Sequence, residues 1–303
     1  MIEAAEVRRR LPWPELVAAL AAMFRHGCEA PLRHRHGLGE DNTLLLMPAW
    51  QPGGCTGVKI VHVAPGNAAR GLPAVHAGYL LSSAATGVPL ALLDGGELTD
   101  RRTAAASLLA AQYLARPESR RLLVLGAGRV ATALAEAHAS HFPLAEIAIW
   151  SRRPAQAEAL AARLAAHGLP ARATASANPA GYDIVSAATL ATTPLLRGAE
   201  VSPGTHVDLV GAFRPDMREA DAALLAAARL VVDTRAGCLA EAGDLVQAMA
   251  EGAFGPGHIA AELAELCRGA VPGRTHPAQV TVFKSVGWAG EDLAAAILAF
   301  GAG

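Results

Sequence analysis

The chain has 303 residues, of which 52% are hydrophobic and 17% charged, and its formal net charge is −1. This length accommodates one or two domains of ordinary size. A nearly neutral chain lacks the broad electrostatic field that gathers nucleic acid or an anionic membrane, so we expect a small-molecule ligand, no nucleic acid and no membrane.

The first half of the chain predicts an α+β unit. Apolar residues at helical spacing predict an amphipathic helix over residues 14–26, and the basic, glycine-containing run over residues 33–37 predicts a surface loop. Four apolar runs bounded by Gly, Pro or Asn predict a meander of antiparallel strands over residues 43–47, 57–63, 75–81 and 88–93. A helix over residues 99–115, with Thr99 as its N-cap, follows.

Two further features of this half concern location and metals. The uncharged run from Gly71 to Leu93 contains Pro73 and Pro89, which favours a hairpin over a membrane span. No apolar segment with a cleavage site follows the N-terminal arginines, so we expect no signal peptide and a cytoplasmic location. His34 and His36 lack a third ligand at metal-binding spacing, and we expect no metal.

Beyond residue 116 short apolar strands alternate with helical stretches, which predicts a parallel, doubly wound sheet. The predicted strands cover residues 121–125, 146–150, 183–188, 206–210 and 230–234. The predicted helices cover residues 130–141, 154–167, 217–227 and 239–251. The C-terminal part offers a strand over residues 279–283 and a helix over residues 291–300, and we expect this tail to return to the first domain.

A glycine motif follows the strand at residues 121–125 and opens the next helix. Gly126 permits a tight turn, Gly128 lets the backbone approach a pyrophosphate, and Ala131 allows close packing of helix on sheet. The N–H groups at the helix start, around Arg129 and Val130, would face the phosphates. Because the motif sits in a strand–turn–helix context, it predicts a dinucleotide-binding Rossmann domain.

The residues after the second strand of this domain indicate the cofactor. They are Ser151, Arg152 and Arg153, at the position where an NAD-preferring site usually offers Asp or Glu to the ribose 2′-hydroxyl. Arginine suits a 2′-phosphate. We therefore expect NADP(H) to be preferred, with NAD(H) possible, whereas the alternative interpretation is that these arginines face water at a strand end.

Several motifs together resemble the ornithine cyclodeaminase/μ-crystallin family, in order and spacing and over nearly the whole chain. They are Gly57-Val58-Lys59-Ile60-Val61, Asn67-Ala68-Ala69-Arg70-Gly71-Leu72-Pro73, Leu98-Thr99-Asp100-Arg101-Arg102-Thr103-Ala104-Ala105, the Gly126 motif, Val210-Gly211-Ala212-Phe213-Arg214-Pro215-Asp216-Met217-Arg218-Glu219 and Phe283-Lys284-Ser285-Val286-Gly287. Most of these lie outside the glycine motif, so the combination is more specific than a Rossmann fingerprint alone.

The resemblance implies an α/β protein in which a doubly wound Rossmann domain is inserted into an α+β substrate and dimerisation domain. The boundaries that we predict are residues 1–116 and 275–303 for the substrate domain and residues 117–274 for the Rossmann domain. It also implies a homodimer that acts on small α-amino or cyclic imino carboxylates, with hydride moving between the nicotinamide and the substrate α-carbon.

Site residues carry over by position. Lys59 and Arg102 match residues that hold the substrate carboxylate, and Arg33 matches a third. Such a clamp is chemically sensible, because a buried carboxylate needs several charge-assisted hydrogen bonds. The resemblance further places Thr103 near the pyrophosphate and Ser285 and Gly287 near the nicotinamide. Lys59 or a bound water would supply the proton.

Two departures from the cyclodeaminases bear on the reaction. Leu45 stands where those enzymes carry Glu, and Phe213 where they carry Asp. Cyclodeamination needs a partner for the side-chain ammonium of ornithine, and an ammonium desolvated between apolar side chains would cost several kcal/mol. An apolar imine ring suits Leu45 and Phe213, so we expect an NADPH-dependent reductase of small cyclic imino acids.

Three alternatives stay open: an NAD-dependent ornithine cyclodeaminase, an NAD-dependent amino-acid dehydrogenase, and a non-catalytic protein that binds NADPH and a ligand. His62 and His76, close to Lys59 in sequence, offer possible proton relays, and core or interface positions are the alternative. Asp208 and Asp233 lie at strand ends, where capping or loop bonding competes with a role in the cleft.

Overall fold

The computed structural model describes residues 1–302, which divide into two compact units. The first unit comprises Met1–Arg102 and the segment from Trp288 onward, and the second comprises Thr103–Gly287. One contains an antiparallel sheet and the other a parallel sheet. The predicted fold class, a Rossmann domain inserted in an α+β domain, is confirmed.

The boundaries of the units differ from the predicted ones at residues 116/117 and 274/275. The C-terminal strand, Thr281–Lys284, pairs in parallel with strands of the Rossmann sheet on both of its sides and is fully buried there. A strand needs partners for its backbone groups, and this one finds them in the second unit. Residues 275–287 therefore belong to the second unit, and the tail rejoins the first only from Trp288.

The first unit is built on a five-stranded antiparallel sheet in the order β1-β2-β3-β4-β5. Its strands are β1 (His34–Gly39), β2 (Asn42–Trp50), β3 (Cys55–Val63), β4 (Val75–Ser83) and β5 (Pro89–Asp94). Its helices are α1 (Ala4–Arg10), α2 (Trp13–His26), the first part of α3 (Gly95–Leu114) and α10 (Ala289–Gly301). The four predicted strands and the β4–β5 hairpin are confirmed.

Two local predictions in this unit are wrong. The predicted loop is strand β1, an edge strand in which every residue is exposed, so no apolar alternation marks it. Helix α3 begins at Gly95, where Asp94 Oδ1 accepts the Glu97 N–H at 2.7 Å. Thr99 lies inside the helix and donates its hydroxyl to the Gly95 carbonyl instead of capping.

The two faces of this sheet have different surroundings. Side chains alternate between the faces, and one face carries the buried Lys59 and Tyr79. Helix α10 packs against β2, β3, β4 and helix α2. The opposite face carries Ile60, Leu80 and Leu92, which are 38–47% exposed. The first unit thus presents an open apolar sheet face, defined by these three residues.

The second unit contains an eight-stranded sheet in the order β12-β11-β13-β10-β9-β6-β7-β8, with every neighbouring pair parallel. The strands are β6 (Arg121–Leu125), β7 (Glu146–Trp150), β8 (Ala171–Ala173), β9 (Ile184–Ala187), β10 (His206–Leu209), β11 (Arg229–Val232), β12 (Ala261–Glu262) and β13 (Thr281–Lys284). The helices are the rest of α3, α4 (Arg129–Ala139), α5 (Pro154–Ala166), α6 (Ala222–Ala227), α7 (Arg235–Glu241), α8 (Gly243–Ala250) and α9 (Leu263–Cys267).

The strand order identifies the two halves of a Rossmann fold. Strands β6, β7 and β8 run outward on one side, and β9, β10 and β13 run outward on the other. The order reverses between β6 and β9, and in such sheets a dinucleotide binds at the carboxyl ends of the strands beside that reversal. Within residues 1–302, no helix is long and apolar enough to cross a membrane.

Candidate functional site

Lys59 and Arg102 are held by one buried carboxylate of the first unit. Lys59 Nζ donates to Asp292 Oδ1 at 2.9 Å, and Arg102 Nε donates to the same oxygen at 2.9 Å. Lys59 is 2% exposed and Arg102 5%, while Asp292 is fully buried. The strand β3, helix α3 and helix α10 thus bring the two predicted cations together.

A second acid of helix α10 holds the other side of the Arg102 fork. Arg102 Nη1 donates to Glu291 Oε2 at 2.6 Å, and Glu291 is fully buried. Both acids lie in the first turn of α10, where negative charge is favoured by the helix dipole. Buried charges persist only when paired and hydrogen-bonded. The two cations and the two acids therefore depend on one another, and these four residues, Lys59, Arg102, Glu291 and Asp292, form the cation cluster.

Tyr79 and Gly57 pack next to Lys59 on the covered face of the sheet. Tyr79 pairs with Lys59 across β3 and β4 and is fully buried. A Cβ atom at Gly57 would lie 2.2 Å from the Tyr79 hydroxyl oxygen and 2.6 Å from two ring carbons. The glycine of the Gly-Val-Lys motif is therefore required by the position of the Tyr79 ring.

The surroundings of Lys59 weaken its ammonium form. Burial, aided by the positive charges of Arg102 and Arg33, lowers the pKa of Lys59 to about 8, against the opposing effect of Asp292. At neutral pH the side chain still carries its charge. It can nevertheless give up its proton far more readily than an exposed lysine.

Arg33 and Leu45 belong to the same face of the sheet as Lys59. Arg33 immediately precedes β1, whose first residue pairs with Leu46, and its charge acts on Lys59. Leu45 is two residues before Met47, the residue that pairs with Lys59, so the alternation of the strand puts Leu45 on this face. In contrast, His62 and His76 pair with each other on the opposite, exposed face. The structure therefore gives them no place beside Lys59.

The glycine motif of the second unit forms a cradle at the carboxyl end of β6. Gly126 has φ +121°, and a Cβ atom there would lie 2.6 Å from the Ala188 carbonyl oxygen. The same atom would lie 3.6 Å from the buried Ala131 Cβ, which is the close packing of helix on sheet that the motif predicts. A Cβ atom at Gly128 would meet no heavy atom within 4 Å.

Helix α4 begins directly after Gly128, with Arg129 and Val130 as its first residues. The first N–H groups of a helix lack intrahelical partners and suit phosphate oxygens. Open space in front of an 11-residue helix, next to the β6–β9 reversal, fits the pyrophosphate of a dinucleotide.

The three polar residues after β7 differ in their contacts. Ser151 Oγ accepts the Arg153 N–H at 3.3 Å, and Arg153 Nε donates to Gln156 Oε1 at 3.0 Å. The side chain of Arg152 is exposed and makes no ion pair with any acid of residues 1–302. Of the two arginines, Arg152 is thus the one that is available to a ligand.

Asp233 organises the turn after β13. Its Oδ2 atom accepts hydrogen bonds from Ser285 Oγ at 2.9 Å, the Val286 N–H at 2.9 Å and the Gly287 N–H at 2.8 Å. The expected loop-bonding role of Asp233 is therefore confirmed. Asp208, for which we expected a similar role, accepts a hydrogen bond from the Ser107 hydroxyl at 2.9 Å.

Other predicted residues lie in the second unit. Thr103 is on α3, one helical turn before Ser107. Burial raises the pKa of Asp208 to about 7, although the Ser107 hydrogen bond opposes the change. Phe213 follows β10 and is 37% exposed, so its ring is open to a ligand.

The ornithine cyclodeaminase/mu-crystallin family matches this sequence over residues 5–300. The chain belongs to that family. Because the match spans both units, it covers the cation cluster on β3 and α3 as well as the glycine cradle on β6 and α4.

Proteins similar to this chain include one reductase known from its sequence and two proteins of solved structure. The chain is 41% identical to the Delta(1)-pyrroline-2-carboxylate reductase of Paracoccus denitrificans, over 94% of this chain and 90% of that protein. It is 32% identical, with a TM-score of 0.95 and 99% and 96% coverage, to the Thermococcus litoralis Delta(1)-pyrroline-2-carboxylate reductase solved with NADH and L-proline. An archaeal alanine dehydrogenase dimer with bound NAD is 29% identical, with a TM-score of 0.92 and 99% and 95% coverage. The expectation of an NAD(P)-dependent enzyme is confirmed.

Sequence reasoning missed the acids of this family member's cation cluster. Glu291 and Asp292 begin the C-terminal helix, a position where acidic residues are common for reasons of helix stability alone. The sequence offered one signal for these acids, which was the expected return of the C-terminal helix to the first domain. That return gives the buried Lys59 and Arg102 their counter-charges.

Proposed function

We propose that the protein is an NADPH-dependent reductase of small cyclic imino acids, of the Δ1-pyrroline-2-carboxylate or ketimine type. The observation that carries this proposal is the buried Lys59–Arg102 pair, placed on the same sheet face as the apolar Leu45. The similarity to pyrroline-2-carboxylate reductases supports it.

The cation cluster suits one substrate carboxylate. Lys59 has three donors, and Arg102 has a planar fork in which Nε and Nη1 are engaged by the acids of α10. Asp292 and Glu291 fix both cations in place before a ligand arrives, which reduces the entropy lost on binding. Arg33 adds a third positive charge on the same side of the sheet.

The same arrangement disfavours ornithine as substrate. An incoming side-chain ammonium needs a carboxylate partner, yet Asp292 and Glu291 already neutralise Lys59 and Arg102. Leu45 offers the ammonium nothing, so desolvation would cost several kcal/mol. A cyclic imine presents an apolar ring to Leu45 and needs no such partner.

Reduction of the imine consumes a hydride and a proton. A dinucleotide held by Gly126, Gly128 and the start of α4 would supply the hydride chemistry. We assign the proton to Lys59 Nζ, whose lowered pKa of about 8 suits donation near neutral pH. Transfer of this proton to the imine nitrogen yields the cyclic secondary amine, and the neutral Lys59 regains a proton from water.

The proposed preference for NADPH depends on Arg152. The side chain is exposed after β7 and unpaired by acids, as a 2′-phosphate ligand would require. The cradle formed by Gly126, Gly128 and α4 fits either dinucleotide, so the preference comes from the segment after β7 alone.

We assign substrate binding and dimerisation to the first unit. The open apolar sheet face (Ile60, Leu80 and Leu92) exposes side chains that a monomer seldom leaves in one group. A second copy of this chain would cover that face with the same apolar residues, as a two-fold contact requires. The dimeric state of the related alanine dehydrogenase supports this assignment.

The decisive experiment follows absorbance at the NADPH band with purified protein and Δ1-pyrroline-2-carboxylate. A parallel reaction contains NAD and ornithine and is assayed for proline. We expect rapid imine reduction and no proline from ornithine. Proline formation from ornithine, or no turnover of any cyclic imine, would contradict the proposal.

A further inference from the structure

Glu219, outside the cation cluster, ties together two turns at the carboxyl edge of the Rossmann sheet. Its Oε1 atom accepts the Thr189 N–H at 2.7 Å and the Thr189 hydroxyl at 2.8 Å. Its Oε2 atom accepts the Gly211 N–H at 2.7 Å and the Ala212 N–H at 3.3 Å. Thr189 follows β9 and Gly211 follows β10, and Glu219 is fully buried.

The approach of these two turns is close enough to require glycine. A Cβ atom at Gly211 would lie 2.2 Å from the Thr189 carbonyl oxygen and 2.3 Å from Glu219 Oε1. The turn after β10 is therefore fitted around the carboxylate. Burial raises the pKa of the Glu219 carboxyl. Each of its two oxygens nevertheless accepts two hydrogen bonds, which is the arrangement of an ionised carboxylate.

Asp244 and Lys284 support Glu219 from behind. Asp244 Oδ1 accepts the backbone N–H groups of Glu219 and Ala220 at 2.7 and 2.9 Å. Lys284 Nζ lies 2.9 Å from Asp244 Oδ2, and both side chains are fully buried. Burial disfavours the Lys284 ammonium, but the charges of Asp244 and Glu219 outweigh burial and raise its pKa above the usual value.

Lys284 also connects this network to the third turn of the same half-sheet. It is the last residue of β13 and precedes Ser285, whose turn is held by Asp233. The turns after β9, β10 and β13 are thus each fixed by a buried carboxylate. These three strands are the ones that follow one another outward from β6 on the side opposite to β7 and β8.

The position of the network indicates its ligand. The adenosine side of a dinucleotide belongs to the half that carries the glycine motif and the segment after β7, so the nicotinamide side belongs to β9, β10 and β13. We propose that Glu219, supported by the Asp244–Lys284 pair, is a positioning residue for the nicotinamide ring. This inference depends on dinucleotide binding and is independent of the proposed substrate and NADPH preference.

Glu219→Gln provides the test, because glutamine has one acceptor and one donor end. Its NH2 group must face either Thr189 or Gly211, so one of the two turns loses its acceptor. Binding of NADH is measured by nucleotide fluorescence, and binding of ADP-ribose, which lacks nicotinamide, by calorimetry. We expect NADH to bind about tenfold more weakly, with ADP-ribose affinity unchanged within about twofold.

The matched control is Glu251→Gln. Glu251 lies in the same unit and pairs with Arg218, but its side chain is 50% exposed. The Glu251→Gln variant should leave the affinities for NADH and ADP-ribose unchanged. If Glu219→Gln lowers both affinities equally, or lowers neither, the proposal is overturned. If Glu219→Gln fails to fold, Thr189→Val provides a second test, because it removes one of the four donors to Glu219. We expect this variant to bind NADH more weakly and ADP-ribose as tightly as the wild type.

Discussion

Lys59 and Arg102, 43 positions apart, donate to one and the same oxygen of Asp292, each at 2.9 Å. Two positive charges repel each other, and water screens this repulsion little here because both side chains are nearly excluded from solvent. Asp292 is thus the counter-charge that allows the two cations to lie side by side in the interior of the first unit.

Replacement of Asp292 by Asn should therefore damage substrate binding. We expect kcat/KM for the imine to fall by on the order of 100-fold, because two buried cations lose their common counter-charge. NADPH affinity should stay unchanged. Asp216→Asn, which alters an exposed acid paired with Arg214, serves as the control. Wild-type kcat/KM in Asp292→Asn would show that Arg102 and Lys59 are positioned by other contacts.

The pH profile should report the titration of Lys59. Its pKa is lowered to about 8. In the proposed function, its protonated form both binds the carboxylate and donates the proton. The kcat/KM of the free enzyme should accordingly be constant below pH 8 and decline above it. In Asp292→Asn the decline should begin at lower pH, since the group that opposes the lowering is lost.

Lys59→Arg separates the two roles of the lysine. Arginine keeps the positive charge at all accessible pH values but does not give up a proton. We expect the decline above pH 8 to disappear, KM to change little, and kcat to fall by about 100-fold. An unchanged kcat would show that water, rather than Lys59, delivers the proton.

Gly57→Ala should destabilise the first unit, because its new methyl group would lie 2.2 Å from the Tyr79 hydroxyl oxygen and 2.6 Å from two ring carbons. The free energy of unfolding should drop by about 3 kcal/mol, as measured by denaturant titration. Gly78→Ala is a matched change on β4 that meets no atom within 4 Å. Equal stability of the two variants would argue against the described position of Tyr79.

Arg152→Ser should raise the Kd for NADPH by about tenfold or more and leave the Kd for NADH nearly unchanged. The reason is that the 2′-phosphate would lose its exposed arginine partner. Arg163→Ala, which removes an arginine bonded to Thr132 on the same unit, is the control. A parallel loss of both affinities would point to general damage rather than to phosphate recognition.

Leu80→Glu should separate the proposed dimer into monomers, because it puts a charge in the centre of the open apolar face. Light scattering at several concentrations measures the mass. Leu239→Glu, at an equally exposed leucine on α7 of the second unit, should leave the dimer intact. A wild-type protein that is monomeric at micromolar concentration would refute the assignment of this face.

Local sequence predicted those parts of the structure that local physics determines. The turn at Gly126 and the strand–helix alternation around it follow from short-range geometry, and the structure has both. Strand β1 could not be predicted in this way, since an exposed edge strand has no apolar pattern and exists through pairing with β2. The place of β13 likewise depends on strands from distant parts of the sequence.

The site shows the same division. Lys59 and Arg102 were recognisable from motifs, whereas Asp292 becomes meaningful only when α10 packs against β3. Glu219 appeared as part of a motif without a role. Its role as an acceptor for Thr189 and Gly211 required the mutual placement of β9 and β10.

The first unit is assembled from two segments that are separated by the entire second unit. During synthesis on the ribosome, Thr103–Gly287 can fold as an uninterrupted stretch, whereas the earlier sheet waits for α10 to cover it. Until Trp288 and the following residues emerge, Lys59 and Arg102 have no Asp292 beside them. The order of translation therefore makes the cation cluster a late product of folding, and a nascent chain stopped before α10 would be a good client for chaperones.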